Sequence, residues 1–126
     1  MAIPYDVFLV EDSPMLRKRL EAMLASVPGA RVVGHAAGAQ DAIRAILAAP
    51  PQAVVLDISL AEGNGFEVLR AVRERLPLLP FYVLTNFANE AYRAMAEKHG
   101  ARGFFDKSNE FERLHSVLAA AAAAPA

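Results

Sequence analysis

Residues 53–57 read Ala53-Val54-Val55-Leu56-Asp57, a run of apolar and β-branched residues that stops at a carboxylate. A continuous apolar run of this length is typical of a strand buried on both faces in the middle of a parallel sheet. Asp57 would then lie at the carboxyl end of that strand, where open α/β sheets place their functional groups. The run therefore predicts a central parallel strand that ends in a functional acid.

On both sides of this run, strand-like segments alternate with segments whose apolar residues recur at helical spacing. The other predicted strands are residues 5–10, 31–36, 81–84 and 103–105. The predicted helices open at residue 14, near residue 39, after the loop at 58–65, at residue 89 and near residue 110. Five strand–helix units predict one α/β domain, a doubly wound five-stranded parallel sheet with right-handed crossovers and helices on both faces.

Local signals mark several helix ends. Ser13-Pro14 supplies an N-cap hydroxyl and a proline at the first helical position. Gly100 is the expected left-handed terminator of the fourth helix, which carries Tyr92, Met95 and Ala96. Residues 109–112 resemble a capping box for the fifth helix. The alanine run at 119–124 predicts a fraying helix end ahead of Pro125.

The composition describes an ordinary globular protein. Of 126 residues, 55% are hydrophobic, the net charge is −1 and cysteine is absent, which excludes disulfides, thiolate metal sites and a cysteine nucleophile. A nearly neutral chain has no general attraction to nucleic acid or anionic lipid. Residues 1–6 lack the pattern of a signal peptide, and no apolar run reaches the roughly 20 residues of a membrane span. We therefore expect a cytoplasmic domain.

Polar residues at the strand ends are expected to meet at one rim, because all carboxyl ends of a parallel sheet face the same edge. They are Glu11, Asp12, Asp57, Thr85 and Lys107. Three crowded carboxylates repel one another unless a cation neutralises them. Carboxylate oxygens suit Mg²⁺, whereas the lack of cysteine, and of histidine at these positions, disfavours Zn²⁺.

This set of groups is suited to receive a phosphoryl group. Asp57 would attack phosphorus and form an aspartyl phosphate. Mg²⁺ and Lys107 would offset charge on the equatorial oxygens, and Thr85 would hydrogen-bond one of them. Each chemical role thus has a residue of the type that it requires.

The chain resembles a receiver domain of two-component response regulators, and more narrowly the single-domain chemotaxis regulator. The motifs that carry the resemblance are Val10-Glu11-Asp12-Ser13, residues 56–60, residues 63–69, Val83-Leu84-Thr85 and Gly103-Phe104-Phe105-Asp106-Lys107-Ser108. The match covers essentially the whole chain, with a core at about residues 4–120. It implies a flavodoxin-like fold with strand order 2-1-3-4-5.

The resemblance also implies the metal site. Asp57 matches the phosphoacceptor, Asp12 a direct Mg²⁺ ligand, and Glu11 an acid that supports the metal through water. The backbone carbonyl of Ser59 takes the place of the loop ligand. No protein cage is expected around the ion.

Three further roles and the partners follow from the same resemblance. Lys107 matches the phosphate-pairing lysine, Thr85 the switch hydroxyl and Phe104 the aromatic whose rotamer follows the threonine. A histidine kinase or histidine phosphotransfer protein would donate the phosphoryl group, and the α4-β5-α5 surface would control an unknown downstream protein. The chain is expected to be a monomer or a weak phosphorylation-dependent dimer that contacts neither nucleic acid nor membrane directly.

Three residues depart from the family pattern. Asn86 stands where many relatives have alanine or glycine and is expected to narrow access to the phosphoryl group or to hydrogen-bond it. Ser108 replaces a proline that often follows a cis bond, and a cis bond before serine costs about 3–4 kcal/mol, which favours trans. Ala61 replaces a loop proline. Phe87, near the site, is expected to slow attack by water on the phosphoryl group.

Three other functions are compatible with parts of the same pattern. The chain could be a degenerate receiver that acts as a constitutive binding module, or the receiver half of a DNA-binding transcriptional regulator. A phosphatase of the α/β hydrolase type also forms an aspartyl phosphate, but such enzymes typically carry a second aspartate soon after the first, where this chain has Ser59. The full set of acids, threonine and lysine favours the phosphoacceptor.

Overall fold

The computed structural model describes residues 4–124. Its strands are β1 (Tyr5–Val10), β2 (Ala30–Ala36), β3 (Ala53–Leu56), β4 (Phe81–Thr85) and β5 (Gly103–Asp106). Its helices are α1 (Pro14–Ala25), α2 (Ala39–Ala48), α3 (Gly65–Arg75), α4 (Glu90–Lys98) and α5 (Phe111–Ala123). Pro125, the predicted stop of the last helix, lies outside the described residues, as do residues 1–3 of the segment without a signal-peptide pattern.

The five strands form one sheet in the order β2-β1-β3-β4-β5, and every neighbouring pair is parallel. The predicted α/β fold and strand order are thereby confirmed. The apolar run of residues 53–56 is the central strand, and all four of its residues are buried. Because Val10, Leu56, Val83 and Phe104 are in register across β1, β3, β4 and β5, the carboxyl ends of these strands lie side by side.

Helices cover both faces of the sheet, as the alternating pattern predicts. One face packs against α2 and α3, with Ile46, Leu69 and Val72 in its core. The other face packs against α1 and α5 through the buried residues Leu20, Leu24, Leu114 and Leu118. A third, smaller cluster lies under α4 and consists of Ile58, Val83, Ala96 and Phe104. The core beneath α4 is therefore the smallest of the three.

Two of the predicted helix ends are confirmed. The Ser13 hydroxyl accepts a hydrogen bond from the Leu16 N–H at 3.3 Å, with Pro14 at the start of α1. Gly100 follows α4 with φ of +83°, a left-handed conformation that glycine adopts without steric cost.

The capping box predicted at residues 109–112 is wrong. The N-cap of α5 is Glu110, and its side chain makes no cap hydrogen bond. Instead, one Glu110 carboxylate oxygen accepts the Asp106 N–H at 3.0 Å and the other pairs with Arg113 at 2.8 Å. The helix therefore begins one residue later than a box built on Asn109 and Glu112 requires, and the Glu110 carboxylate ties the start of α5 to the end of β5.

Proline marks the opposite, amino-terminal edge of the sheet. Pro50 and Pro51 precede β3, while Pro77 and Pro80 lie in the connection that leads to β4. The chain therefore enters β3 and β4 through segments whose backbone freedom is reduced before folding. Among residues 4–124, no helix has the length and apolar character needed to cross a membrane.

Candidate functional site

Asp57 follows β3 directly and is fixed by the neighbouring strand. Its backbone N–H donates to the Val10 carbonyl at 2.9 Å, so the ladder between β1 and β3 extends one residue beyond β3. Glu11 and Asp12 follow β1 at the same edge. Asp57 and Glu11 are buried, whereas Asp12 is exposed to solvent. The predicted convergence of acids from β1 and β3 is therefore present.

Lys107, just after β5, joins the two buried acids. Its Nζ donates to Asp57 Oδ2 at 2.6 Å and lies 3.0 Å from Glu11 Oε1, with only 10% of its side chain exposed. Burial alone lowers the pKa of Lys107, but the hydrogen bonds and negative charges of Asp57 and Glu11 outweigh burial and raise the pKa overall. The lysine is consequently a fixed ammonium between two carboxylates.

The second acid of the pair, Glu11, is held in an environment that disfavours its charge. Burial raises the pKa of Glu11 and the Asp57 charge adds to this, although hydrogen bonds from the Ser13 N–H and Lys107 lower it in part. One ammonium cannot neutralise three neighbouring carboxylates. The site therefore has an excess of negative charge, which a bound cation would offset.

The carboxylates also fit a divalent cation. Glu11, Asp12 and Asp57 each place an oxygen within 4.8 Å of the others. Hard oxygen donors in an open, partly hydrated site are what Mg²⁺ prefers. The Ser59 N–H donates to Asp57 Oδ1 at 3.3 Å, which brings the backbone of the following loop beside the same carboxylate.

Thr85 and Phe104 lie next to the cluster of the three acids and Lys107 and are not part of it. Thr85, the last residue of β4, is fully buried, and its Oγ1 accepts the Phe87 N–H at 3.1 Å. Its carbonyl accepts the Lys107 N–H at 3.0 Å, which links the ends of β4 and β5. The Phe104 ring is turned inward, into the small cluster under α4.

Two of the residues that depart from the family pattern adjoin residues of the site, since Asn86 follows Thr85 and Ser108 follows Lys107. Asn86 is exposed, and Phe87 is 51% exposed with its ring edge-on to Tyr92 at 6.4 Å. The Lys107–Ser108 peptide bond is trans. Ser108 donates its N–H and hydroxyl to Asp106 Oδ1 at 2.8 and 2.6 Å, which lowers the pKa of Asp106. Serine thus closes a turn here through its side chain.

Gly65 has a role that the sequence pattern did not predict. A Cβ at this position would lie 2.3 Å from the Asp57 carbonyl oxygen and 2.9 Å from the Ile58 Cα. The Gly65 N–H donates to the Ile58 carbonyl at 2.8 Å. Only glycine lets the start of α3 approach the backbone of the acid so closely. The only sequence signal for this contact is a glycine at the start of a predicted helix. That signal does not indicate that the helix start lies against the backbone of Asp57.

Comparison with known proteins agrees with this geometry. Residues 7–119 match the family described as response regulator receiver domain. The DNA-binding transcriptional activator DevR/DosR of Mycobacterium tuberculosis is 36% identical over 101 residues, which cover 80% of this chain and 46% of that protein.

Solved structures give the same result. A LuxR-family response regulator from Aurantimonas sp. superposes with a TM-score of 0.88 at 28% identity, covering 95% of this chain and 86% of that one. The response regulator domain of Thermotoga maritima CheB, 24% identical, shares the fold with a TM-score of 0.83 over 97% of this chain and 94% of that one. The chain spans roughly half the length of curated relatives such as DevR/DosR, at 46%, and Escherichia coli NarL, at 56%. With its five-stranded sheet and its acids at the strand ends, the chain belongs to the response regulator receiver domains, a family of phosphoacceptor signalling modules.

Proposed function

We propose that this receiver domain accepts a phosphoryl group on Asp57 from a phosphohistidine of a histidine kinase or histidine phosphotransfer protein. The observation that carries the proposal is the position of Lys107, whose ammonium lies 2.6 Å from Asp57 and 3.0 Å from Glu11. A buried carboxylate beside a fixed ammonium and two further acids is suited to a reaction in which charge develops on the transferred group.

In the reaction, a carboxylate oxygen of Asp57 forms a bond to phosphorus while the phosphorus–nitrogen bond of the donor breaks. The electron pair of that bond returns to the donor imidazole, which takes up a proton. Asp57 is held on a buried central strand, so little motion is needed for in-line attack. Lys107 pairs with the new phosphoryl oxygens in place of the carboxylate that it contacts now.

Glu11, Asp12, Asp57 and the Ser59 carbonyl are the groups that would hold Mg²⁺. Bound there, the ion would supply positive charge against the phosphoryl oxygens. Asp12 is the most accessible of the three acids, so we assign it as a direct ligand, with Glu11 acting through water. Loss of Asp12 should therefore weaken Mg²⁺ binding while the contact between Lys107 and Asp57 remains.

Phosphorylation is read out through Thr85 and Phe104. The Thr85 hydroxyl donates to a phosphoryl oxygen, and this movement weakens the bond that it accepts from the Phe87 N–H. The loop before α4 then shifts, Phe104 follows into the space that Thr85 leaves, and the surface of α4, β5 and α5 changes to control a downstream protein. The chain itself turns over no external substrate.

The direct test is incubation with acetyl phosphate or phosphoramidate and Mg²⁺, followed by intact mass measurement. We expect a phosphoryl adduct on the wild-type chain and none on Asp57→Asn. Asp41→Asn, an exposed acid on α2, is the matched control and should be phosphorylated normally. Absence of a wild-type adduct, or an undiminished adduct on Asp57→Asn, would refute the assignment.

A second candidate is that the chain is the receiver half of a DNA-binding regulator. The similarity to DevR/DosR, of which the chain covers 46%, favours this. The size of the native protein, detected by antibody in its source cells, decides between the two: 13.6 kDa for the receiver alone, or about twice that for a regulator of the length of DevR/DosR.

A further inference from the structure

The loop between β3 and α3 is fastened to the start of α2, a helix that contributes no residue to the acidic cluster. Residues 59–64 form a closed loop, because Ser59 and Asn64 pair as a short antiparallel bridge. At the tip of the loop, the Ala61 N–H donates to the Ala37 carbonyl at 3.1 Å. A proline at residue 61 has no N–H and could not form this bond. The loop is therefore held by hydrogen bonds from outside it.

Glu62 satisfies the first two N–H groups of α2. The Ala39 N–H donates to the Glu62 carbonyl at 2.8 Å, and the Gln40 N–H donates to Glu62 Oε1 at 3.2 Å. The residue at the N-cap, Gly38, provides no side-chain hydrogen bond. The first N–H groups of a helix have no partner within the helix, so Glu62 acts as the cap that the local sequence lacks.

The loop and the start of α2 are also closely packed. A Cβ on Gly63 would lie 2.7 Å from the Ala39 Cβ, and a Cβ on Gly38 would lie 3.2 Å from Glu62 Oε1. Ala39 is fully buried. The relative position of the loop and the helix is therefore fixed by packing as well as by hydrogen bonds.

The segment from Ala36 to Ala39 contacts the other side of the acidic cluster as well. The Glu11 N–H donates to the Ala36 carbonyl at 3.0 Å. One short segment thus binds the backbone of Glu11 and the tip of the loop that carries Ser59. Both residues are among the groups proposed to hold Mg²⁺, so the start of α2 lies between two sides of the same metal site.

We propose that Glu62 is a positioning residue for Mg²⁺, which holds the loop with the Ser59 carbonyl in place by capping α2. The inference rests on the proposed function, because it takes the Ser59 carbonyl as a metal ligand. Without the Glu62 side chain, ordering of the loop becomes part of the cost of binding the ion. Bound Mg²⁺ in turn stabilises the start of α2, since coupling between two sites is reciprocal.

The test measures Mg²⁺ affinity of the whole chain by NMR titration of the backbone amides. Glu62→Ala should weaken Mg²⁺ binding about tenfold, the lower end of the range for groups that orient a metal ligand from outside. Glu62→Gln should stay within about twofold of wild type, because its amide oxygen still accepts the Gln40 N–H. Asp41→Asn is the matched control. It removes an exposed negative charge from the first turn of the same helix and should also stay within about twofold.

Two further measurements separate positioning from a loss of folding. Saturating Mg²⁺ should slow amide hydrogen exchange at Ala39 and Gln40 in the wild type, and the slowing should be smaller in Glu62→Ala. With acetyl phosphate, the Mg²⁺ concentration for half the maximal phosphorylation rate should rise about tenfold in Glu62→Ala, while the maximal rate falls by less than about twofold.

Equal Mg²⁺ affinities of Glu62→Ala and Asp41→Asn would overturn the proposal. Equal losses in Glu62→Ala and Glu62→Gln would also overturn it, because the charge of Glu62 and not its hydrogen bond would be the cause. Unchanged amide exchange at Ala39 and Gln40 on addition of Mg²⁺ would refute the coupling between the ion and α2.

The same experiments distinguish this inference from the proposed function. The expected order of Mg²⁺ affinities without a phosphoryl adduct on Asp57 would refute the proposed function and support the positioning role of Glu62. A normal adduct on Asp57 with equal Mg²⁺ affinities in all variants would support the proposed function and refute the role of Glu62.

Discussion

α3 and α4 follow β3 and β4, two neighbouring strands of the sheet, yet the two helices are attached to the sheet very differently. α3 buries Gly65, Val68, Leu69 and Val72 against the sheet and α2. α4 has a single buried residue, Ala96, over the smallest of the three apolar clusters. Since burial of apolar surface is the main force that fixes a helix to a sheet, α3 is held firmly and α4 weakly.

The difference separates two requirements of a switch. The loop that precedes α3 carries Asp57, and a fixed position favours in-line attack on phosphorus. The loop that precedes α4 contains Phe87, whose N–H donates to the hydroxyl of Thr85, the residue that we propose as the switch. A weakly attached helix can change position at a small cost in free energy, so the helix suited to report the signal is the one with little buried surface.

Truncation of one apolar side chain on each helix should give the largest contrast. Leu69→Ala on α3 should lower the free energy of unfolding by about 2–5 kcal/mol, because it leaves a cavity in the core. Met95→Ala on α4, where 43% of the residue is exposed, should stay within about 0.5 kcal/mol. Urea unfolding of both variants measures this. Equal losses would show that α4 is as firmly attached as α3.

The second-largest effect is expected from a substitution that crowds the backbone next to Asp57. Gly65→Ala places a Cβ 2.3 Å from the Asp57 carbonyl, so we expect a loss of about 1–3 kcal/mol together with slower phosphorylation by acetyl phosphate. Ala94→Leu, an exposed change on α4, serves as the control and should alter neither quantity. A Gly65→Ala protein with normal stability and rate would contradict the need for a fixed acid.

The two helices also share the same cap, which permits a matched pair of variants. Asn64 accepts the Glu67 N–H at 3.1 Å and Asn89 accepts the Tyr92 N–H at 2.8 Å. Loss of such a cap costs about 0.5–2 kcal/mol.

Asn64→Ala should show this cost in global unfolding, whereas Asn89→Ala should show it mainly as faster amide hydrogen exchange within α4. The glycine variants at both positions should lie close to wild type, because glycine is tolerated at the cap. Identical hydrogen-exchange patterns in the two alanine variants would show that α3 and α4 are attached to the sheet equally firmly.

The smallest effect is expected at the turn after β5. Ser108→Ala removes a hydroxyl that donates to Asp106, so the lowered pKa of Asp106 should rise towards its ordinary value. A depressed carboxyl pKa stabilises the fold at pH values above the ordinary aspartate pKa, and this contribution is lost as the pH falls through the folded value. Carbon-detected NMR titration of Asp106 in both proteins measures the shift. An unchanged pKa would show that the Ser108 hydroxyl is not its cause.

The order of strands and helices could be predicted because apolar spacing repeats reliably along this chain. The predicted capping box was wrong although the competing groups lie nearby in the sequence. Glu110 binds Asp106, four residues before it, and Arg113, three residues after it, and residue type alone does not decide which of these local contacts forms. Gly65 was visible as a glycine, but its contact with Asp57 exists only once β3 and α3 are packed together.

The candidate site was predictable for a different reason. Lys107 is 50 residues away from Asp57 in sequence, and taken alone it would be read as a surface charge. Topology places the ends of β3 and β5 at one edge, so residue type and strand position together suffice to group these residues. The contact of the Phe104 ring with the Arg93 guanidinium depends on side-chain packing, which the pattern does not encode.

The two edges of the sheet set different limits on how such a chain can evolve. On the amino-terminal edge, Pro50, Pro51, Pro77 and Pro80 restrict the segments that lead into β3 and β4, so replacements there alter the stability of the whole fold. On the opposite edge, residues 59–62 and 86–88 lie outside the buried clusters, apart from partial contacts of Leu60 and Ala88. Substitutions in these loops can therefore change the surroundings of the proposed phosphoacceptor while the packed core of the domain stays the same.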